Sequence, residues 1–215
     1  MYSIFQLIYL LVLFLVASFS LYLCIKKGGK QQEFLWLYLG ISFVLEFVMF
    51  IFQIVFGSSS GFGFLYNIYF LFCPLFFMMY FNREQNKFIV KLNTIVFAVF
   101  MLIFLFFIFK EYQEVNQIIG ISFSLVFILY SLIWFYGKLS HPNEKSIMDD
   151  PKFWVSCGFL FWGVFFILRI IPRYLFNEVD HGTLIISQSF FFVINIFFYI
   201  SFFVSLLKYS KNHDE

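Results

Sequence analysis

Seven stretches of this chain are each long and apolar enough to cross a bilayer as a helix, and no other feature restricts its fold so strongly. They run over about 2–25, 33–56, 63–81, 88–109, 116–137, 153–175 and 183–207. A hydrocarbon core about 30 Å thick needs about 20 apolar residues in helical conformation. Strands would instead show weak ten-residue alternation, which is absent. Polar or turn-forming residues bound each run, among them Lys26-Lys27-Gly28-Gly29-Lys30, Gly57-Ser58-Ser59-Ser60-Gly61 and Asn82-Arg83-Glu84-Gln85-Asn86-Lys87. Of the 215 residues, 62% are hydrophobic and only 12% charged. A soluble domain has about 25% charged residues, so a water-soluble globule of this chain would lack a polar coat. The expectation is an all-α integral membrane protein, one seven-helix domain over 1–215 whose principal partner is the lipid bilayer.

The first run has no basic leader and no small-residue cleavage site, and its apolar part exceeds the length of a signal-peptide core, so it reads as a permanent helix. Lys26, Lys27, Lys30, Arg83, Lys87, Lys91, Lys138, Lys145, Lys152, Lys208 and Lys211 fall on one side of the threading. Only Lys110, Arg169 and Arg173 of the 14 basic residues lie elsewhere. Short loops rich in lysine and arginine stay cytoplasmic, which places the N-terminus outside and the C-terminus inside. Trp36, Trp134 and Trp154 then fall at the cytoplasmic interface, where an aromatic belt is expected. A net charge of +2 implies no nucleic-acid partner. The longest connector, 138–152, reads as a solvated link between helices or as a docking surface for a partner protein.

Polar side chains inside the hydrocarbon carry most of the functional information, because each costs free energy there. Ser42, Glu46 and Gln53 share a face of the second run, Gln117, Gly120, Ser124 and Ser131 a face of the fifth, and Gln188, Asn195 and Tyr199 a face of the seventh. Ser42, Ser124, Ser131, Asn195 and Tyr199 read as helix-packing polar stripes. Glu46 lies about 18 Å up its helix from the basic side, and Arg169 about 24 Å up its own, at 1.5 Å per residue. A charge at a helix centre costs roughly 2.5–3.5 kcal/mol, which the surrounding apolar residues offset. Glu46, Gln53, Asn67, Arg169 and Gln188 are therefore expected to form an outer-half polar cluster. That cluster is either a structural ion pair with hydrogen-bonded neighbours or a small pocket open to the outside. Arg169 alone has a further reading, reaching past its helix end to outer headgroups. Pro74 and Pro172 are expected to bend or loosen their helices.

Several chemistries lack their residues. His141, His181 and His213 lie in loops or the tail, so neither a haem nor an intramembrane zinc site is expected, and no metal or cofactor is assigned. Cys24, Cys73 and Cys157 have no disulfide or zinc spacing. The seventh run holds no lysine before Lys208, which removes a mid-membrane Schiff base. Residues 57–63 have no Gly-Lys-Ser/Thr, so they are no phosphate cradle. Glu46 has no carboxylate partner, and no serine has an intramembrane histidine to activate it. No catalytic residues are assigned, and no enzyme is expected.

Asp150-Pro151-Lys152-Phe153-Trp154 followed by Gly158-Phe159-Leu160-Phe161, with Asn67-Ile68-Tyr69-Phe70 and Glu46, resembles short motifs of small multi-span membrane proteins from Flavobacterium-like Bacteroidota. The resemblance implies a multi-pass protein of a bacterial inner membrane and no particular activity. Relatives of such bundles often serve as sensor modules beside kinases. The leading expectation is a non-enzymatic sensor or adaptor that binds a small ligand or partner through the outer-half cluster. The alternatives are a small-solute or proton-coupled carrier using Glu46, and a structural subunit of a larger membrane complex. The last would use Gly120-x-x-x-Ser124 as a lipid-facing contact.

Overall fold

In the computed structural model each apolar run is one helix: α1 (Tyr2–Lys27), α2 (Leu35–Phe56), α3 (Gly63–Asn82), α4 (Lys87–Ile108), α5 (Gln117–Ser140), α6 (Pro151–Leu175) and α7 (His181–Lys211). The structure describes residues 2–56, 63–83, 85–109, 116–140, 146–175 and 181–211. Among them there is no strand, and all seven helices are long and apolar enough to cross a membrane. The glycine-serine loop 57–62, Lys110, Lys145 and the rest of 141–145 lie outside the described residues, as do the side chains of Pro172 and Arg173.

Local chemistry sets the helix ends. Asn86 caps α4 by accepting from the Ile89 N–H at 2.9 Å, and Asn116 does the same for the Ile118 N–H at 2.9 Å. Asp150 accepts from the Lys152 N–H at 2.9 Å, with Pro151 at the first helical position, where its missing N–H costs nothing. At the end of α1, Gly28 takes φ +91° and its N–H bonds to the Cys24 carbonyl at 2.9 Å. The connector expected at 138–152 is shorter than that. Gly137, Lys138, Leu139 and Ser140 continue α5, since none of them stops a helix, and Pro151-Lys152 already belongs to α6. A single 3₁₀ turn, Ile147–Asp149, precedes the Asp150 cap.

The chain divides into two compact units, residues 1–43 with 145–215 and residues 44–144. In the first, α7 packs against both α1 and α6. Tyr9, Leu13, Val16, Ser20 and Leu23 form the buried stripe of α1, alternating by four and three residues as in coiled-coil packing. Tyr38 of α2 meets Phe202 of α7 at 5.5 Å between ring centroids, and Phe43 meets Phe14 of α1 at 5.3 Å. Gly158 lets α6 approach α7 closely, because a Cβ there would run into the Ser201 hydroxyl.

In the second unit, α3, α4 and α5 pack on one another. Aromatic rings fill the space between α3 and α5, with Phe70 against Phe123 at 4.4 Å and Phe77 edge-on to Phe127 at 5.6 Å. Such pairs contribute about 0.5–1.5 kcal/mol each beyond the area they bury. That matters here because lipid supplies no hydrophobic drive for helix association. α3 runs as one helix through Pro74, and Tyr130 donates its hydroxyl to the Pro74 carbonyl at 3.3 Å. Ile4, Leu11, Leu102 and Phe106 are among the many large apolar side chains left exposed, which fits contact with a bilayer.

Candidate functional site

In the first unit the half of the α6–α7 seam away from the lysine-rich end carries the most concentrated polar chemistry expected from sequence. Arg169 lies with its guanidinium carbon 4.5 Å above the centre of the Phe191 ring, itself buried on α7. That is within cation–π range, and such a stack gains strength as it leaves water. Gln188 sits three residues before Phe191, on the same face, and like Arg169 is half-buried. Two turns from Arg169 and Gln188 along their helices, Trp162 donates its indole N–H to Asn195 at 2.8 Å, an interhelical bond tying α6 to α7. Trp162 also stacks on Phe166 at 4.7 Å, and Phe166 in turn meets Phe191 at 5.6 Å. The guanidinium is thus held against a neighbouring helix. An arginine reaching past its own helix end to headgroups would leave that ring.

The other members of the expected cluster belong to the second unit. Glu46 is half-buried on α2, Asn67 is buried on α3 and Gln53 is exposed near the end of α2. The serine stripes are buried, but their hydroxyls are committed to their own helices. Ser42 donates to the Tyr38 carbonyl at 2.8 Å, Ser124 to Ile121 at 2.9 Å and Ser131 to Phe127 at 2.9 Å. Tyr199 is buried on α7, its ring 5.9 Å from that of Tyr9 on α1. Gly120 and Ser124 are both buried within the second unit, so they do not form the expected lipid-facing contact. Trp134, on the same helix, is also buried.

A second polar group, absent from the expectations, closes the lysine-rich end of the first unit. Lys152, on the first turn of α6, is buried and its Nζ lies 3.1 Å from Glu33 Oε2. Glu33 and Phe34 both have positive φ, +52° and +63°. For residues other than glycine such a conformation is uncommon and costs of order 1–3 kcal/mol each. The neighbouring Gln32 holds that turn down: it donates to the Ser20 carbonyl at 2.8 Å and accepts from the Ser20 hydroxyl at 2.6 Å. Gly29 completes it, since a Cβ there would sit 2.5 Å from Trp36 Nε1 and 3.1 Å from Cys24 Sγ.

The same end is tied by three further contacts. Lys27 donates to the Ser210 carbonyl at 2.7 Å, a cation at the negative end of α7. Lys208 pairs with Asp149 at 2.7 Å, and Trp154 donates to the Met148 carbonyl at 3.0 Å. The only sequence signal for this group was the basic residues themselves, which hydropathy assigns to loops.

Among the described residues no cluster of histidine, cysteine or carboxylate side chains has a metal-binding arrangement. Seven apolar helices and these enclosed polar groups define a polytopic seven-helix membrane protein. None of the protein-family models, curated proteins or solved structures compared with the chain matches it.

Proposed function

We propose that the chain is a non-enzymatic sensor or adaptor of a bacterial inner membrane, with its lysine-rich end in the cytoplasm. The outer half of the α6–α7 seam receives a small anionic group at Arg169, and the lysine-rich end of the same two helices engages a partner protein. The supporting observation is the stack of Arg169 on Phe191. A guanidinium keeps its charge in any protein environment, and its planar fork matches carboxylate, sulfate and phosphate oxygens. Held over a ring, which accepts no hydrogen bond in its plane, it keeps N–H groups to offer to an anion. About 25 Å separates Arg169 from Lys152 along α6, at 1.5 Å per residue, so one rigid element joins the two polar groups.

The test is thermal unfolding of the detergent-solubilised protein at constant ionic strength with sulfate, phosphate, acetate or succinate. At least one of these anions raises the midpoint in the wild type and leaves Arg169→Gln unmoved. Midpoints indifferent to all four, or a rise that persists in Arg169→Gln, would remove the proposed site.

A further inference from the structure

Two enclosed polar groups in the second unit play no part in that reading. Asn93 of α4 is fully buried. Its Nδ2 donates to Asn82 Oδ1 at 2.8 Å, and its own Oδ1 has no hydrogen-bond partner among the described residues. Trp134 of α5 is 1% exposed, and its Nε1–H likewise has no partner among the described residues.

The register of the seam places these two residues at neighbouring levels. α4 and α5 are antiparallel neighbours with Ile89 against Gly137, where a Cβ would lie 3.3 Å from both Ile89 Cδ1 and Gln85 Oε1. Asn93 is one turn beyond Ile89 on the same face of α4. Trp134 is three residues before Gly137 on the same face of α5. Both helices advance equally per residue, so Asn93 and Trp134 fall within about one turn of each other along neighbouring helices. One is an acceptor and the other a donor.

A buried donor or acceptor without a partner costs about 1–3 kcal/mol, and neither lipid nor the ring-filled core of this unit supplies one. A single molecule that donates to Asn93 and accepts from Trp134 removes both costs. An apolar molecule does neither. A cation is disfavoured by the Lys138 ammonium, 5.8 Å from the Trp134 ring centre. An anion finds an acceptor oxygen on the Asn93 side. Water fits both walls, and two to four polar partners are what an internal water requires. We propose that the α4–α5 seam binds one internal water molecule between Trp134 Nε1 and Asn93 Oδ1, continued through the Asn93 amide to Asn82.

The experiment is nuclear magnetic resonance of the full chain in micelles with ¹⁵N-labelled tryptophan, which gives four indole signals. Trp134→Phe identifies the relevant one. The proposal requires a dipolar cross-peak between the Trp134 indole proton and a long-lived water, and movement of that signal in Asn93→Leu. Trp162, bonded directly to Asn195, serves as the control and shows no such cross-peak. A Trp134 signal without a water cross-peak overturns the proposal. So does one that moves in Asn93→Leu but has no water cross-peak, since that marks a direct bond. If Asn93→Leu does not fold, the wild-type cross-peak decides alone.

Discussion

Lys152 on the first turn of α6 reaches Glu33, in the turn between α1 and α2, at 3.1 Å, with both side chains almost wholly enclosed. The pair joins segments more than a hundred positions apart in sequence. It also secures a turn whose backbone is in the left-handed region at two successive residues that are not glycine. A buried ion pair adds little over an apolar replacement of the same shape, but breaking one side of it is expensive, about 3–5 kcal/mol. Lys152→Met is therefore expected to lower unfolding stability by about that amount. Lys152→Met combined with Glu33→Leu recovers most of the loss. Denaturant titration in mixed micelles of the four proteins of this double-mutant cycle measures the coupling.

Gly29 makes room for Trp36, and Cys24 packs beside the same spot. Gly29→Ala pushes the indole aside and loosens the turn, at about 1–3 kcal/mol for overpacking. Alkylation of Cys24 by a maleimide, with Cys73 and Cys157 replaced by alanine, is expected to accelerate in Gly29→Ala. An unchanged rate would mean the turn absorbs the methyl group without opening.

Gly158 and Ser201 mark a close approach of α6 to α7. Gly158→Ala lowers the thermal midpoint, again by the equivalent of about 1–3 kcal/mol. Adding Ser201→Ala, which deletes the hydroxyl in the way, returns part of the loss. Additive losses in the double variant would contradict this account of the seam.

The bond from Trp162 to Asn195 lies in the same seam, within the apolar spans of both helices. Interhelical hydrogen bonds in membranes average about 0.6 kcal/mol, with a maximum near 1.7. Asn195→Leu is accordingly expected to cost less than about 2 kcal/mol, a smaller loss than Lys152→Met. Thermal unfolding of the two variants side by side ranks them.

The spans were legible in the sequence because helix length is fixed by bilayer thickness, and a run of apolar residues measures it directly. Their ends were less so. Lys138 and Ser140 look like loop residues but continue α5, since a polar side chain at an interface does not break a helix. Ser42, Ser124 and Ser131, which stand out by their spacing, are buried. The spacing carried no information on where the hydroxyls donate, and each bonds to its own helix. Arg169 and Gln188 stood out as polar residues in oil, whereas the ring of Phe191 beneath the guanidinium is one of 39 phenylalanines and gave no signal. Glu33 and Lys152 were invisible for the opposite reason. Charges beside a helix end look solvated in any window of sequence, and only the packed turn reveals that they face inward.

The rival reading, a carrier that binds a proton or cation at Glu46, makes a separate prediction. Proteoliposomes would show a solute-dependent proton flux that Glu46→Gln abolishes and Arg169→Gln spares. The sensor reading expects no such flux from any of the three proteins.

The central claim is that an anion held at Arg169 alters the lysine-rich end of the same helices. Its most direct test is the alkylation rate of Cys24, in the background lacking Cys73 and Cys157, with and without each anion that raises the thermal midpoint. The rate is expected to change on anion addition with Arg169 in place, and to be indifferent to the anion in Arg169→Gln. Equal rates with and without every such anion in the Arg169 protein would contradict the claim.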